Sequence, residues 1–182
     1  MRTHYGETTL HNGSAAFGKS VTLAEGPLDL TWHHASTTSE FIGEFYALRS
    51  GALSLDYNET RHSIGYLVNE LLENAVKFRH PGDILVDTSI DGARFEIRVS
   101  NLVNRGTAER FSGLLEEITS RDPGELLIER IEANAEDASS SASGLGLLTL
   151  MSDYGAKLGW EFLDDGAGGP IRLNTFAALT LS

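Results

Sequence analysis

The sequence predicts an α+β fold, an α/β sandwich in which a mixed sheet is covered on one face by helices. The chain has 182 residues, of which 41% are hydrophobic and 22% charged, as is typical of one globular domain with a real core. Some segments repeat apolar residues at helical spacing, and others alternate apolar and polar residues as strands do. The candidate strands come in hairpins beside runs of helix, which favours helices segregated to one face of a mixed or antiparallel sheet.

The composition narrows the classes of function. The chain has 14 Lys and Arg against 26 Asp and Glu, a formal net charge of −12, which disfavours nucleic acids and anionic membranes as partners. It has no cysteine, which excludes disulfides, a thiol nucleophile and cysteine-based zinc sites. No apolar run approaches the ~18 residues that cross a bilayer, and the first residues lack the apolar centre of a secretory signal. We therefore expect a soluble cytoplasmic domain.

The first part of the chain predicts little regular structure. Residues 1–26 are rich in Gly, Ser and Thr without a clear period, so we expect a weakly ordered arm or an edge strand, followed by one domain over 27–182. Alternation over 28–32 predicts a short strand. Residues 36–40 offer caps for a helix that follows, with apolar side chains at i, i+4 and i+7, namely Phe41, Phe45 and Leu48.

The middle of the chain predicts a long helix and a hairpin. The helix covers about 58–79 and ends before Pro81-Gly82, which no helix continues through. Two strands over 84–90 and 94–100 follow, and Asp91-Gly92 between them is a strong hairpin signal.

The last part of the chain predicts three helices and two closing strands. Helical spacing extends over 106–120, and shorter helices are expected over 125–134 and 147–154. The closing strands are expected over 157–163 and 171–181, with a glycine-rich turn between them.

One motif matches a phosphate-binding loop by letter only. Gly13 to Ser20 fits the pattern GxxxxGK[ST]. A P-loop works because a buried strand enters it and a helix leaves it, which aims backbone N–H groups at the phosphates. Here the preceding residues are polar, and the following ones end at Gly26-Pro27. We therefore reject a P-loop at this segment.

The long helix carries three polar side chains on one stripe. Glu70, Asn74 and Lys77 follow one another at i, i+4 and i+7, opposite the apolar face. A solvated face with ordinary pairing of neighbouring turns explains this spacing equally well. The stripe becomes a candidate site if a second structural element lies close to it. The Asn74 carbonyl oxygen could then bind a Mg²⁺ ion that keeps several waters, and the Glu70 carboxylate could accept a proton beside it.

A glycine turn supplies a candidate for that second element. Ser143, Gly144, Leu145 and Gly146 follow a serine-rich stretch and open a helix. Glycines at a helix start let backbone N–H groups approach an anion, and the helix dipole adds a favourable potential. The alternative is a tight turn that packs on a neighbouring element.

In combination, these segments resemble the GHKL ATPase superfamily, which includes the ATPase domains of histidine kinases and the anti-sigma-factor kinases. Residues 69–78 look like the N-box of that family, and 143–147 look like its second glycine box. The resemblance covers about 60–180 and implies a Bergerat-type fold that binds ATP and Mg²⁺. It implies that Asn74 holds Mg²⁺ and that Lys77 and the backbone of 144–146 contact the phosphates.

The residue at position 70 favours one branch of the family. Sensor histidine kinases usually carry Asn there, whereas anti-sigma-factor serine kinases carry Glu as the base toward the substrate hydroxyl. The chain is most similar to partner-switching kinases of the SiaB type. The resemblance therefore implies a bacterial serine/threonine protein kinase that phosphorylates a small antagonist protein, with Glu70 as the catalytic base. The sequence leaves the oligomeric state open, with a homodimer as one option.

The first glycine box departs from the family pattern. Asn101 stands where the family has the Asp that binds adenine, and Val103 and Arg105 stand where it has glycines. The resemblance implies that Asn101 faces the adenine, and an Asn carbonyl can accept a hydrogen bond from its amino group. The alternative function is a catalytically inactive binding module that keeps the fold and sequesters a partner protein. A sensor-kinase ATPase domain is a weaker third option.

Arginines near the expected lid have two interpretations. Arg105, Arg121 and Arg130 flank this segment and could reach a phosphate. They could equally pair with nearby glutamates, namely Glu116, Glu117, Glu125 and Glu129. We favour the pairing.

Overall fold

Six strands and six helices make up the part of the chain that the computed structural model describes, namely residues 1–8, 17–25, 30–136 and 144–182. The strands are β1 (Arg2–Gly6), β2 (Phe17–Leu23), β3 (Ile84–Asp91), β4 (Arg94–Val103), β5 (Lys157–Leu163) and β6 (Ile171–Thr180). The helices are α1 (Trp32–Ala47), α2 (Ser50–Leu53), α3 (Tyr57–Phe78), α4 (Arg105–Ser120), α5 (Pro123–Glu136) and α6 (Leu145–Ser152). The predicted α+β class is confirmed.

The six strands form one antiparallel sheet in the order β1-β5-β6-β4-β3-β2. The mixed sheet that the sequence predicts is wrong for the described strands, because each of their five pairings is antiparallel. The hairpins β3–β4 and β5–β6 impose antiparallel neighbours locally. The two hairpins then join through β4 and β6, where Asn101 pairs with Leu173. The strand pattern cannot specify the direction of that non-local pairing.

The segment expected to be a weakly ordered arm or an edge strand supplies both edges of the sheet. Arg2 pairs with Leu163 at one edge, and Lys19 pairs with Thr88 at the other. β1 and β2 therefore fit the edge-strand alternative of that expectation, and each pairs with a strand of the region 27–182. Residues 9–16 and 26–29 lie outside the described part of the chain. The strand expected over 28–32 is wrong for its described residues 30–32, because Thr31 is the N-cap of α1 and Trp32 begins that helix.

The rejected P-loop motif ends inside β2. Lys19 and Ser20 pair with residues of β3, and the strand continues to Leu23. The segment that follows Gly18 is therefore an edge strand where a P-loop needs a helix, as predicted. Residues 13–16 of the motif lie outside the described part of the chain.

One face of the sheet carries the core. Side chains of β4 that alternate toward this face, such as Phe95 and Ile97, are completely buried. Helix α1 packs here through Tyr46, whose ring lies 5.1 Å from that of Phe95 and whose Oη lies 2.9 Å from Thr88 Oγ1. Helix α4 packs on the same face farther along, where Phe111 meets Trp160 edge to face. The helices thus form a layer over this face, as an α/β sandwich requires.

Helices α1 and α3 approach each other closely at Gly43. A Cβ atom at Gly43 would lie 2.8 Å from the carbonyl oxygen of Arg61 and 3.2 Å from the nitrogen of Gly65. The apolar stripe that the sequence assigned to α1 does not form this contact. Phe41 is 60% exposed and Leu48 is 71% exposed, whereas Ile42 and Tyr46 are buried with small residues beside them.

The opposite face of the sheet carries a row of polar contacts across four strands. Arg2 forms an ion pair with Glu161, whose other oxygen accepts a hydrogen bond from Asn174 Nδ2 at 2.8 Å. Ser100 donates to Asn174 Oδ1 at 2.7 Å. Glu161, Asn174 and Ser100 are all buried, so this row ties β1 to the centre of the sheet.

Candidate functional site

The sheet and the helical layer enclose a cavity of about 280 Å³. Helices α3, α4 and α6 form its walls, and β4, β5 and β6 form its floor. Most of the surface is apolar, with Trp160 and Leu173 on the strands and Leu71 and Phe111 on the helices. This volume lies just below the range for small-molecule sites, which is about 300–1,000 Å³.

Asn74 brings an amide to the α3 wall of the cavity. Its Nδ2 donates to the carbonyl oxygen of Glu70, one turn earlier, at 2.8 Å. This bond fixes the side chain along the helix and leaves Oδ1 free to bind a ligand. A carbonyl-type oxygen of this kind is a ligand that Mg²⁺ accepts.

Asn101 brings a second amide to the floor. It lies on β4 opposite Leu173, is 4% exposed and lines the cavity. Its Nδ2 donates to the carbonyl oxygen of Leu102 at 3.2 Å. Thr175 lies on the same face of the neighbouring strand, two residues from Leu173, and also lines the cavity.

The glycine turn meets the cavity at Gly144. This residue has a φ of 87° and is the N-cap of α6. A Cβ atom here would lie 2.8 Å from Arg130 Nη1 and 3.3 Å from a methyl group of Leu114. The positive φ therefore favours glycine at this position, whereas the contacting atoms belong to the side chains of Arg130 and Leu114. The first N–H groups of α6, which have no partner inside the helix, begin at this turn.

Glu70 lies against the first turn of α6. A Cβ atom at Gly146 would overlap the carboxylate of Glu70, with 2.7 Å to Cδ. Burial raises the pKa of the Glu70 carboxyl above its usual value, and the charge of Glu73 raises it further. The side chain is half-buried on the helix that supplies Asn74 to the cavity.

The structure brings together most of the residues that the sequence singled out. Asn74, Asn101 and Gly144 line one cavity, although they come from three distant segments. Glu70 and Gly146 contact each other beside it.

The remaining predicted residues have other positions. Lys77 and Leu145 are not among the described residues that line the cavity, and Ser143 lies outside the described part of the chain. Lys77 extends over the ring of Phe78, with Nζ 5.0 Å from the ring centre, and Phe78 lines the cavity.

Sequence reasoning missed the contribution of α4. Thr107, Phe111 and Leu114 all line the cavity, and their spacing of i, i+4 and i+7 was the available signal. Arg110 is the only cationic side chain among the described lining residues, and none of those residues is acidic. In a chain with a net charge of −12, this favours an anionic ligand at this place.

The arginines near the cavity pair with carboxylates. Arg130 Nη2 lies 2.7 Å from Glu117, and Arg121 Nη2 lies 2.5 Å from Glu129, so the predicted pairing with glutamates is confirmed for both. Arg105 pairs instead with Asp164 through two hydrogen bonds of 2.8 and 2.7 Å, a partner that the sequence did not indicate.

The described residues contain no group of three or more His, Cys, Asp or Glu side chains arranged to hold a metal ion. A Mg²⁺ ion at Asn74 would therefore need further oxygen ligands from a phosphate and from water. Among the described helices, none is both long and apolar enough to cross a membrane.

Comparisons of the chain with protein-family models, with curated proteins and with solved structures gave no match. The site must therefore be interpreted from its own residues.

Proposed function

We propose that this chain is an ATP-dependent serine/threonine protein kinase of the GHKL type, which acts on a small antagonist protein in a bacterial partner-switching pathway. The observation that carries the proposal is the convergence of Asn74, Asn101 and Gly144 on one cavity, with the Glu70 carboxylate beside it. The resemblance in the sequence assigns these residues to a nucleotide site.

The chemistry of the cavity suits a Mg²⁺–nucleotide. Its apolar walls fit a purine ring, and its single described cation, Arg110, favours an anion. Asn74 would hold the Mg²⁺ ion through Oδ1, together with phosphate oxygens. The free N–H groups at the start of α6 would bind a phosphate, as helix N-termini do.

In the proposed reaction, Glu70 would accept the proton of a substrate hydroxyl. When bound, ATP supplies the γ-phosphoryl group that the substrate oxygen attacks. The carboxylate accepts the hydroxyl proton as the oxygen–phosphorus bond forms, and ADP leaves. A general base is most effective when its pKa lies near the working pH, and burial raises the pKa of Glu70 in that direction.

The second candidate is a binding module without catalysis. The observation that favours it is the position of α4, which begins at Arg105, where the family has a glycine box. Arg105 is also held by its ion pair with Asp164. In this case the cavity would be kept as part of the fold, and the surface would bind a partner protein.

Titration with ATP and Mg²⁺ by calorimetry separates the two candidates. A kinase should bind the nucleotide, and Asn74→Ala should weaken binding by tenfold or more because it removes a direct ligand of the metal. Asn58→Ala is the matched control, since Asn58 is exposed near the start of the same helix and should bind like the wild type. Absence of wild-type binding at millimolar ATP would reject the kinase and leave the binding module.

A further inference from the structure

The edge strand β2 has a pairing partner on one side only. It pairs with β3 along its whole length, and no other described strand pairs with it. On an edge strand, alternate residues turn their backbone N–H and C=O groups outward without a partner. Such an edge can bind an extended segment as an additional strand, which is a common mode of peptide recognition.

An apolar stripe on α1 meets this edge. The stripe consists of Phe41, Phe45 and Leu48, and the ring centres of the two phenylalanines are 6.1 Å apart. Phe41 and Leu48 are exposed, and Phe45 is half-buried. Lys19 of β2 extends over the stripe, with Nζ 5.9 Å from the ring centre of Phe45. The stripe and the edge of β2 therefore form the two sides of one surface groove, the β2–α1 groove.

Two cations border the β2–α1 groove. Arg49 places its guanidinium carbon 5.7 Å from the ring centre of Phe45, on which Lys19 also lies. A carboxylate of α1, that of Glu44, is turned toward α3 instead, where it pairs with Arg61 at 2.9 Å. In a chain with a net charge of −12, two cations beside an apolar stripe favour an acidic partner at this place.

The same charges disfavour a second copy of this chain in the groove. A two-fold axis near the middle of β2 would bring Lys19 of one copy close to Lys19 of the other, and each copy carries a net charge of −12. An acidic segment of another protein avoids the repulsion between the two lysines.

We propose that the β2–α1 groove binds an extended, acidic segment of a partner protein, which adds to the sheet as a further strand beside β2. The backbone of the segment pairs with the outer edge of β2. Its apolar side chains contact Phe41 and Phe45, and a carboxylate contacts Lys19. This surface shares no residue with the cavity, so the proposal goes beyond the proposed function and does not depend on it.

The test uses the whole chain and a peptide of sequence Val-Thr-Glu-Thr-Val-Thr-Glu with acetylated and amidated ends. When the peptide is extended, its Val and Glu side chains lie on one face, where they can meet α1 and Lys19, and its Thr side chains lie on the other. NMR titration of the isotope-labelled chain should show binding at millimolar peptide, with the shifted signals in β2 and α1.

A second peptide with Lys in place of Glu should bind at least about tenfold more weakly, because it brings like charges to Lys19. Absence of binding of the acidic peptide, or equal affinities of the two peptides, would overturn the proposal.

N-methylated peptides test the addition of a strand. Alternate residues of an added strand turn their N–H groups toward β2. Methylation of the Thr nitrogens, or of the Val and Glu nitrogens, should therefore abolish binding in one of the two peptides and not in the other. The same result for both methylated peptides would overturn pairing with the edge of β2.

Two variants locate the acidic peptide. Lys19→Glu should weaken its binding by about tenfold or more and should favour the lysine peptide instead. Lys157→Glu is the matched control, because Lys157 is an exposed lysine on β5 and carries the same change of charge. Its affinity should equal that of the wild type. An unchanged affinity in Lys19→Glu would overturn the proposal.

The oligomeric state of the chain tests the competing occupant. A dimer that Phe41→Ser dissociates, together with absence of peptide binding, would assign the groove to a second copy and would also overturn the proposal.

Discussion

The carboxylate of Glu70 lies where its charge is disfavoured. Burial and the nearby Glu73 raise the pKa of Glu70 in the folded protein above its value in the unfolded chain. The folded state therefore binds this proton more tightly than the unfolded state does. The free energy of unfolding therefore falls as the pH rises from the pKa of Glu70 in the unfolded chain to its pKa in the folded protein. Above the folded pKa, the whole destabilisation from the buried charge is present.

We expect Glu70→Gln to lower activity and to raise stability. Under the proposed kinase function, the variant should lose phosphotransfer by about 10²–10⁴-fold, because the proposed base is gone, while ATP affinity changes by no more than a few-fold. It should also melt at a higher temperature than the wild type near pH 8, and the difference should shrink as the pH falls toward about 4.3, the usual pKa of glutamate. The measurements are transfer of labelled γ-phosphate to the acceptor protein and thermal unfolding over this pH range.

Glu40→Gln is the control, because Glu40 is exposed on α1 and carries the same change of charge. It should show neither effect. Full activity of Glu70→Gln would show that Glu70 is not the base. Melting temperatures equal to those of the wild type at every pH would show that burial of the Glu70 charge does not destabilise the fold.

The sequence predicts side-chain placement only as far as helical geometry reaches. The spacing of Glu70 and Asn74 correctly indicates that both lie on one side of α3, since i and i+4 positions share a face. The same spacing includes Lys77, yet this side chain lies over Phe78 and does not line the cavity. Helical spacing gives the direction of a side chain around the helix axis. It does not show how far along the helix the neighbouring elements extend to form the cavity.

At the scale of elements, the contact between α1 and α3 depends on a glycine. Gly43 allows the backbones to approach, since a Cβ atom would lie 2.8 Å from the carbonyl oxygen of Arg61. That oxygen is part of the backbone of α3 and cannot rotate away. The helices would have to separate to admit a methyl group.

Gly43→Ala should therefore destabilise the fold by about 1–3 kcal/mol, as overpacking of a core does. Gly65→Ala is the matched comparison, because the nearest atom to its added Cβ is Ser39 O at 4.0 Å. This substitution should be neutral or stabilising by up to ~1 kcal/mol, since Ala favours a helix over Gly. Urea unfolding measures both. Equal stabilities of the two variants would show that the close approach at Gly43 is not a constraint.

The start of α1 shows what local sequence signals leave out. The serines and threonines of 36–39 indicate caps, yet the helix begins at Trp32. Thr31 is the N-cap, and its backbone nitrogen donates to His34 Nδ1 at 2.9 Å. Glu or Gln usually takes the place of His34 in such a capping box, so the signal was missed. The hairpin at 91–94 was predictable because its turn residues and its strand alternation agree.

At the scale of the whole molecule, β1 belongs to the folded unit through its buried polar row. Glu161 is buried and accepts one hydrogen bond from Asn174, while Arg2 supplies the cation that balances its charge. Because residues 1–26 lack a clear period, the sequence predicts either a weakly ordered arm or an edge strand there and cannot choose between them. The pairing of β1 with a strand so distant in the chain leaves no local pattern.

Arg2→Met should test this membership. The substitution leaves the buried carboxylate of Glu161 without a cation and should lower the free energy of unfolding by about 1–3 kcal/mol. Glu161→Gln in the same chain should recover much of the loss, since a neutral amide needs no cation. Arg172→Met is the control, because Arg172 is an exposed arginine on β6, and it should have little effect. A free energy of unfolding that does not change in Arg2→Met would indicate that β1 contributes little to the stability of the sheet.

The positions of the two edge strands in the chain determine how long each one waits for its pairing partner during synthesis. β2 follows β1 directly in the chain, but its partner β3 begins at Ile84, and the partner of β1 begins only at Lys157. At a synthesis rate of about 5–20 residues per second, β1 waits on the order of 10 s for its partner to be made. During that interval the nascent chain holds an open strand edge, which is a template for pairing with other chains. The brevity of β1 and its charged and glycine residues limit that hazard until β5 arrives.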